Sequence, residues 1–211
     1  RIIEAYEMRF SLLSVAGLQI LVCSLMVPAP AAAQQPVSQL ERELAAVPAA
    51  ELADEAARFG DAKRGAVLFY QPQMACRQCH SVDGSESPLG PALAGKRPDA
   101  TDAFLVESVL HPSKAIRKGF ETAVVVTSDG LVVVGLIVEE TTEKVVLREG
   151  RPPGKLMEFP RDDIDEYKRT TQSIMPPGQV GMLASRQQFL DLIRYLIEIR
   201  DGGALRAKEL E

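Results

Sequence analysis

The residues of this chain whose types and spacing could do the most chemistry are Cys76, Cys79 and His80, which stand in the run Cys76-Arg77-Gln78-Cys79-His80. Three chemistries use such a run. Two thiols three residues apart can add to the two vinyl groups on one edge of a haem, and the residue after them then lies under the iron as an axial nitrogen ligand. A redox-active dithiol has the same spacing but sits in a βαβ context, which residues 60–100 do not offer. A structural zinc site needs about four protein ligands, and apart from Cys23 the only other His or Cys is His111. Covalent haem c, one per chain, is therefore the expectation, with His80 on one side of the iron.

The other side has five candidates: His111, Met74, Met157, Met175 and Met182. Met74 is tied to the Cys76 loop, and Met157 alternates with Phe159 in an extended segment, the pattern of a core methionine. Met182 lies just before the last helix and is expected to pack there. Met175 stands in Ser-Ile-Met-Pro-Pro-Gly, where two prolines hold an extended loop with no backbone donor of their own. Such a loop can point a thioether at a metal, or can simply be a linker with a buried methionine. Met175 is favoured. His111, at the end of a helical pattern, reads first as a residue meeting the exposed carbonyls there, and second as a haem contact. Arg117 and Lys118 read as surface charges or as partners for haem carboxylates.

The elements that must position these groups are legible from caps and periodicity. Ser38 with Glu41 forms a capping box ahead of residues 38–47, and a second helical piece follows Pro48 over 49–58. Asp61 caps a helix through Tyr70, with Gly65 in its middle at a cost of about 1 kcal/mol relative to alanine. That cost suggests a close-approaching neighbour. Thr101 caps a helix that must end before Pro112. From Phe120 to Tyr167 the chain turns rich in Val, Ile and Thr, with a turn at Asp129-Gly130, and reads as four or five antiparallel strands, an SH3-like module. Ser185 with Gln188 opens a last helix, expected to stop at Gly202-Gly203.

At the N-terminal end, Arg9, the apolar stretch Leu12 to Val27 and the small residues Ala31 and Ala33 have the order of a secretory signal peptide cleaved near Ala33, with residues 1–7 as translated upstream sequence. The expected site of action is then the periplasm or outside the cell, with no membrane span in the mature form; an uncleaved signal would be an anchor. The formal net charge of -5 leaves no basic surplus for phosphates and argues against a nucleic-acid partner.

Five pieces, Gly60-to-Tyr70, Cys76-to-His80, Leu89-Gly90-Pro91-Ala92-Leu93, Ser173-to-Pro177 and the helix Gln187-to-Ile199, occur in the order found in class I cytochrome c, and the chain resembles that family. More narrowly, Leu89-to-Gly95, Glu107-to-Glu121, Thr127-to-Gly130 and Ser173-to-Gly178 resemble the planctomycete-type haem-binding domain. The resemblance spans about residues 58–200. It implies thioether bonds at Cys76 and Cys79, His80 and Met175 as axial iron ligands, and the Pro91 carbonyl as acceptor for the other His80 nitrogen. His80 and Met175 are 95 residues apart; setting aside the 51 residues of 120–170 leaves 44, an ordinary loop for a small cytochrome.

The resulting expectation is an α+β chain, a small all-α cytochrome c fold interrupted by a β-rich insertion. Its parts are 1–33 (upstream residues and signal), 34–57 (helical lead-in), 58–119 with 171–201 (discontinuous haem domain) and 120–170 (insertion). Helices 62–70 and 186–200 should cross with Gly65 near Tyr195, over a pocket lined by Leu89, Pro91, Leu93 and the residues around Met175. The expected role is one-electron transfer without catalysis of its own, to or from a redox partner such as a periplasmic dehydrogenase. Two rivals are a haem-based sensor with a labile sixth ligand and an interaction module acting through the β insertion.

Overall fold

The computed structural model describes residues 37–87, 89–151 and 154–211. The expected upstream residues, signal peptide and cleavage site lie outside them. No helix among the described residues is long and apolar enough to cross a membrane.

Side-chain caps start most of the helices where the sequence places them. Ser38 Oγ accepts from Glu41 N at 3.0 Å ahead of α1 (Gln39–Ala45). Pro48 precedes α2 (Ala49–Phe59). Asp61 Oδ1 accepts from Arg64 N at 3.0 Å and opens α3 (Ala62–Tyr70). A single turn, α4 (Cys76–Cys79), follows, and then α5 (Asp102–Leu110), capped by Thr101. Ser185 caps the long α6 (Arg186–Leu210). Each cap supplies an acceptor to a first-turn N–H that has no partner within the helix.

The helical core forms where α3 crosses α6. A Cβ built on Gly65 would lie 2.0 Å from the Asp191 carbonyl oxygen and 2.7 Å from Tyr195 Cβ, so the two backbones nearly touch there. Phe69 and Tyr195 then pack ring to ring, tilted, with centroids 5.3 Å apart. Asp191, buried on α6, accepts from Asp61 N at 2.8 Å and from Arg64 Nε at 2.7 Å, which pins the crossing at its rim. The lead-in is part of this core, because Leu44, Leu52 and Ala56 are fully buried in it.

The chain does not leave the domain at Gly202-Gly203. Gly203 has φ 69 and ψ -162, a break that interrupts α6, and helix resumes to Leu210. Ala207 and Leu210 are buried, and Arg206 Nε bonds Glu198 at 2.7 Å. The helical core therefore continues past Gly203 to Leu210. A glycine pair can end one helical run, but whether the next run packs depends on apolar residues finding the core.

Residues 122–170 form one five-stranded antiparallel sheet: β1 (Thr122–Thr127), β2 (Val132–Glu140), β3 (Lys144–Glu149), β4 (Leu156–Pro160) and β5 (Ile164–Thr170). The order is β4-β3-β2-β1-β5, a meander whose last strand folds back to pair with the first, as an SH3-like arrangement requires. Alternation in β1 sends Ala123 and Val125 inward, where they meet Val133, Val145, Leu147 and Phe159. This second core is separate from the helical one, and among the described residues no helix packs broadly on the sheet. The architecture is thus α+β.

Candidate functional site

The Cys76–Cys79 turn begins at Ala75, whose φ of 54 makes it the one non-glycine with a left-handed backbone among the described residues. That step costs about 1–2 kcal/mol in an ordinary residue and redirects the chain between the fully buried Met74 and the half-buried Cys76. The turn closes with His80 N donating to Cys76 O at 2.9 Å.

His80 Nδ1 lies 2.8 Å from the Pro91 carbonyl oxygen. A carbonyl only accepts, so Nδ1 carries the proton and Nε2 keeps its lone pair. Burial pushes the imidazole below its ordinary pKa, a shift opposed by the Pro91 bond and assisted by the Arg97 charge. The ring is therefore neutral at physiological pH, the form that can bind a metal. Gly90 makes room for it: a Cβ there would sit 2.7 Å from His80 Cε1 and 2.9 Å from the Cys79 carbonyl.

Cys76 and Cys79 are free thiols. Burial pushes Cys76 up to about 11, and Cys79 is raised for the same reason. Both are thiols, not thiolates, at neutral pH. In the unmodified protein Cys76 is expected to alkylate slowly at neutral pH and to gain reactivity as the pH climbs through about 11. Rapid alkylation at neutral pH, followed by mass spectrometry, would show that the thiol is not buried as described.

These groups open into one cavity of ≈ 1250 Å³, counting its solvent-open mouth. Its walls come from distant parts of the chain. Phe69 enters from α3, Leu89, Pro91 and Leu93 from the loop after His80, Phe104 and Leu105 from α5, and Leu192 and Leu196 from α6. Met175, half-buried, lines the same cavity together with Ile174 and Pro176. Of the other candidates, Met74 is a buried wall residue, Met157 packs on the sheet core and Met182 is exposed, not packed against α6 as expected. His111 is exposed at the C-terminal end of α5 and does not line the cavity; its N–H donates to Glu107 O at 2.7 Å.

Sequence reasoning missed Arg97. It lines the cavity, its Nη1 donates to Ala92 O at 2.5 Å, and its buried Nε has no hydrogen-bond partner. Burial and then the neighbouring Arg117 charge lower its pKa. Arg117 also reaches the cavity and pairs with Asp99 at 3.7 Å, whereas Lys118 does not line it. A lone arginine after a glycine-rich loop has no periodicity that would mark it. An orphaned buried N–H beside a second arginine is a place for an anionic group.

Chemically, the cavity offers a neutral imidazole nitrogen, a thioether sulfur, two thiols and a guanidinium whose Nε has no partner, on apolar walls. Among the described residues no three His, Cys, Asp or Glu side chains converge as a metal-ion site. No family model matches the chain, and no curated protein matches it.

Proposed function

We propose that this chain is a single-haem c-type cytochrome of the class I kind, carrying one electron at a time. The observation that carries the reading is that Cys76, Cys79, His80 and Met175 all line one apolar cavity. The donor set fits the group: the thiols suit two vinyl carbons, the nitrogen and the thioether suit an iron, and Arg97 and Arg117 suit two carboxylates. When bound, the haem would supply the one-electron iron couple.

The chain's own residues do the rest. Cys76 and Cys79 would hold the haem through two thioethers, each S–H adding across a vinyl double bond with the sulfur on one carbon and the proton on the other, so that no oxidant would be needed. His80 presents Nε2 while Pro91 holds the ring by Nδ1. Met175 would hold the iron together with His80, which would leave no site free for a substrate and favours a carrier over a catalyst. The apolar walls exclude water and raise the strength of every charge interaction inside. A place outside the cytoplasm and a separate redox partner, such as a dehydrogenase, belong to the same proposal. A second reading, the sheet as a docking module, has Val132, Val134 and Val138 exposed along β2 in its favour.

Production in cells with a working cytochrome c maturation system tests the carrier reading. The expected product has the added mass of one haem and a ferric Met-to-iron charge-transfer band that Met175→Ala abolishes. A chain without covalent haem would overturn the reading. A high-spin ferric wild type that binds carbon monoxide rapidly once reduced would replace the carrier by a sensor.

A further inference from the structure

We propose that the β module is a positioning device for Met175: it holds the methionine's loop from the N-terminal side and so sets how firmly the thioether stays in place. This rests on the reading of Met175 as an axial ligand.

The loop is held on both flanks, by Val180 buried in the helical core after it and by hydrogen bonds before it. Pro176 and Pro177 follow Met175, and neither has an N–H to tie the chain down. The hydrogen bonds nearest Met175 lie ahead of it. Met175 N donates to Ser173 Oγ at 3.1 Å, and Ser173 N donates to Ser113 Oγ at 3.0 Å. One residue earlier the β module takes over. Thr122, the buried first residue of β1, donates from Oγ1 to the Gln172 carbonyl at 2.7 Å and lies 2.7 Å from Thr170 Oγ1 on β5.

A second contact comes from the far end of the sheet. Gly150, at the end of β3, lies against Ile174, and a Cβ there would stand 2.7 Å from Ile174 Cδ1 and Cγ1. Gly154, ahead of β4, touches Leu89, another residue lining the cavity, where an added Cβ would be 3.0 Å from Leu89 Cδ2. Arg148 Nη1 holds that glycine's carbonyl at 3.0 Å. The sheet thus meets the helical part through contacts that include the residue before Met175 and the loop carrying Pro91, although among the described residues no helix packs broadly on it. A thioether is a weak, neutral ligand on a flexible side chain. Its hold on an iron depends on where the backbone presents it, and small misplacements are costly.

The test uses the full chain with haem attached, as Thr122→Val, Gly150→Ala and Gly150→Ala combined with Ile174→Ala. The readouts are haem mass, melting temperature, the Met-to-iron band, the pH at which that band is lost, and carbon monoxide binding to the reduced protein. Thr122→Val and Gly150→Ala are expected to keep the haem and bind carbon monoxide about tenfold faster, the scale expected when a group that orients a ligand is lost. The band should be lost at lower pH than in wild type. Ile174→Ala should restore both in the Gly150→Ala background by removing Cγ1 and Cδ1, the two atoms the new methyl group would meet, which a general loss of stability would not do. Unchanged band, pH midpoint and carbon monoxide rate in haem-loaded Thr122→Val and Gly150→Ala would overturn the inference while leaving the carrier reading intact. Wild type without haem or without the band would overturn the reading itself, and this inference with it.

Discussion

Gly65→Ala is expected to destabilise the protein by about 2–3 kcal/mol, the upper range for overpacking a core. On an exposed helix the same change would stabilise by about 1 kcal/mol; the sign reverses here because the new methyl group would lie 2.0 Å from the Asp191 carbonyl oxygen. The clash is with backbone, so no rotamer change relieves it. The helices would have to separate, which costs the Phe69–Tyr195 ring packing and weakens the Arg64–Asp191 bonds. Urea unfolding reads the loss directly, and the melting temperature should fall by roughly 2–4 °C per kcal/mol for a chain of this size. A neutral or stabilised Gly65→Ala would mean that α3 and α6 do not meet at that residue.

Gly90→Ala is expected to damage the site while sparing most of the fold. Its methyl would enter the space of the His80 ring, 2.7 Å from Cε1, and the ring would swing off the Pro91 carbonyl. In the unmodified protein, burial is the dominant influence holding the imidazole below its ordinary pKa, and the Pro91 bond works against it. Pushing the ring toward water therefore raises the pKa overall, even though the lost hydrogen bond alone would lower it. The His80 titration followed by NMR should move up in Gly90→Ala. With haem attached, ligation by His80 should weaken about 10- to 100-fold, the usual effect of removing a ligand's orienting bond, and a high-spin spectrum would report it. An unmoved titration together with an unchanged spectrum would show that Gly90 is not what admits the ring.

Local chemistry was legible residue by residue. Ser38, Asp61, Thr101 and Ser185 each cap a helix as their sequence context indicates, because a cap is a contact between residues three apart. The strands of 122–170 were legible because Val, Ile and Thr alternate between turn signals. The cavity residues Leu89, Pro91, Leu93 and Met175 were legible from the order of short motifs. The packing of α6 beyond Gly203 was not, since nothing in Ala-Leu-Arg-Ala-Lys-Glu-Leu tells a free tail from one whose Ala207 and Leu210 are buried.

The sequence by itself determined the run of two thiols and an imidazole, the caps, the proline-stiffened Met175 loop and the glycine that lets two helices meet. All of these are set by covalent spacing or by backbone freedom at one residue. Only the tertiary structure decided that Arg97 presents a buried Nε without a partner, that Gly90 makes room for the His80 ring, and that Gly150 of the sheet lies against the residue before Met175. The physical reason is distance along the chain. Ile174 and Gly150 are brought together by the pairing of β1 with β5 and of β3 with its neighbours. A contact made by register and packing leaves no mark in either residue's own surroundings.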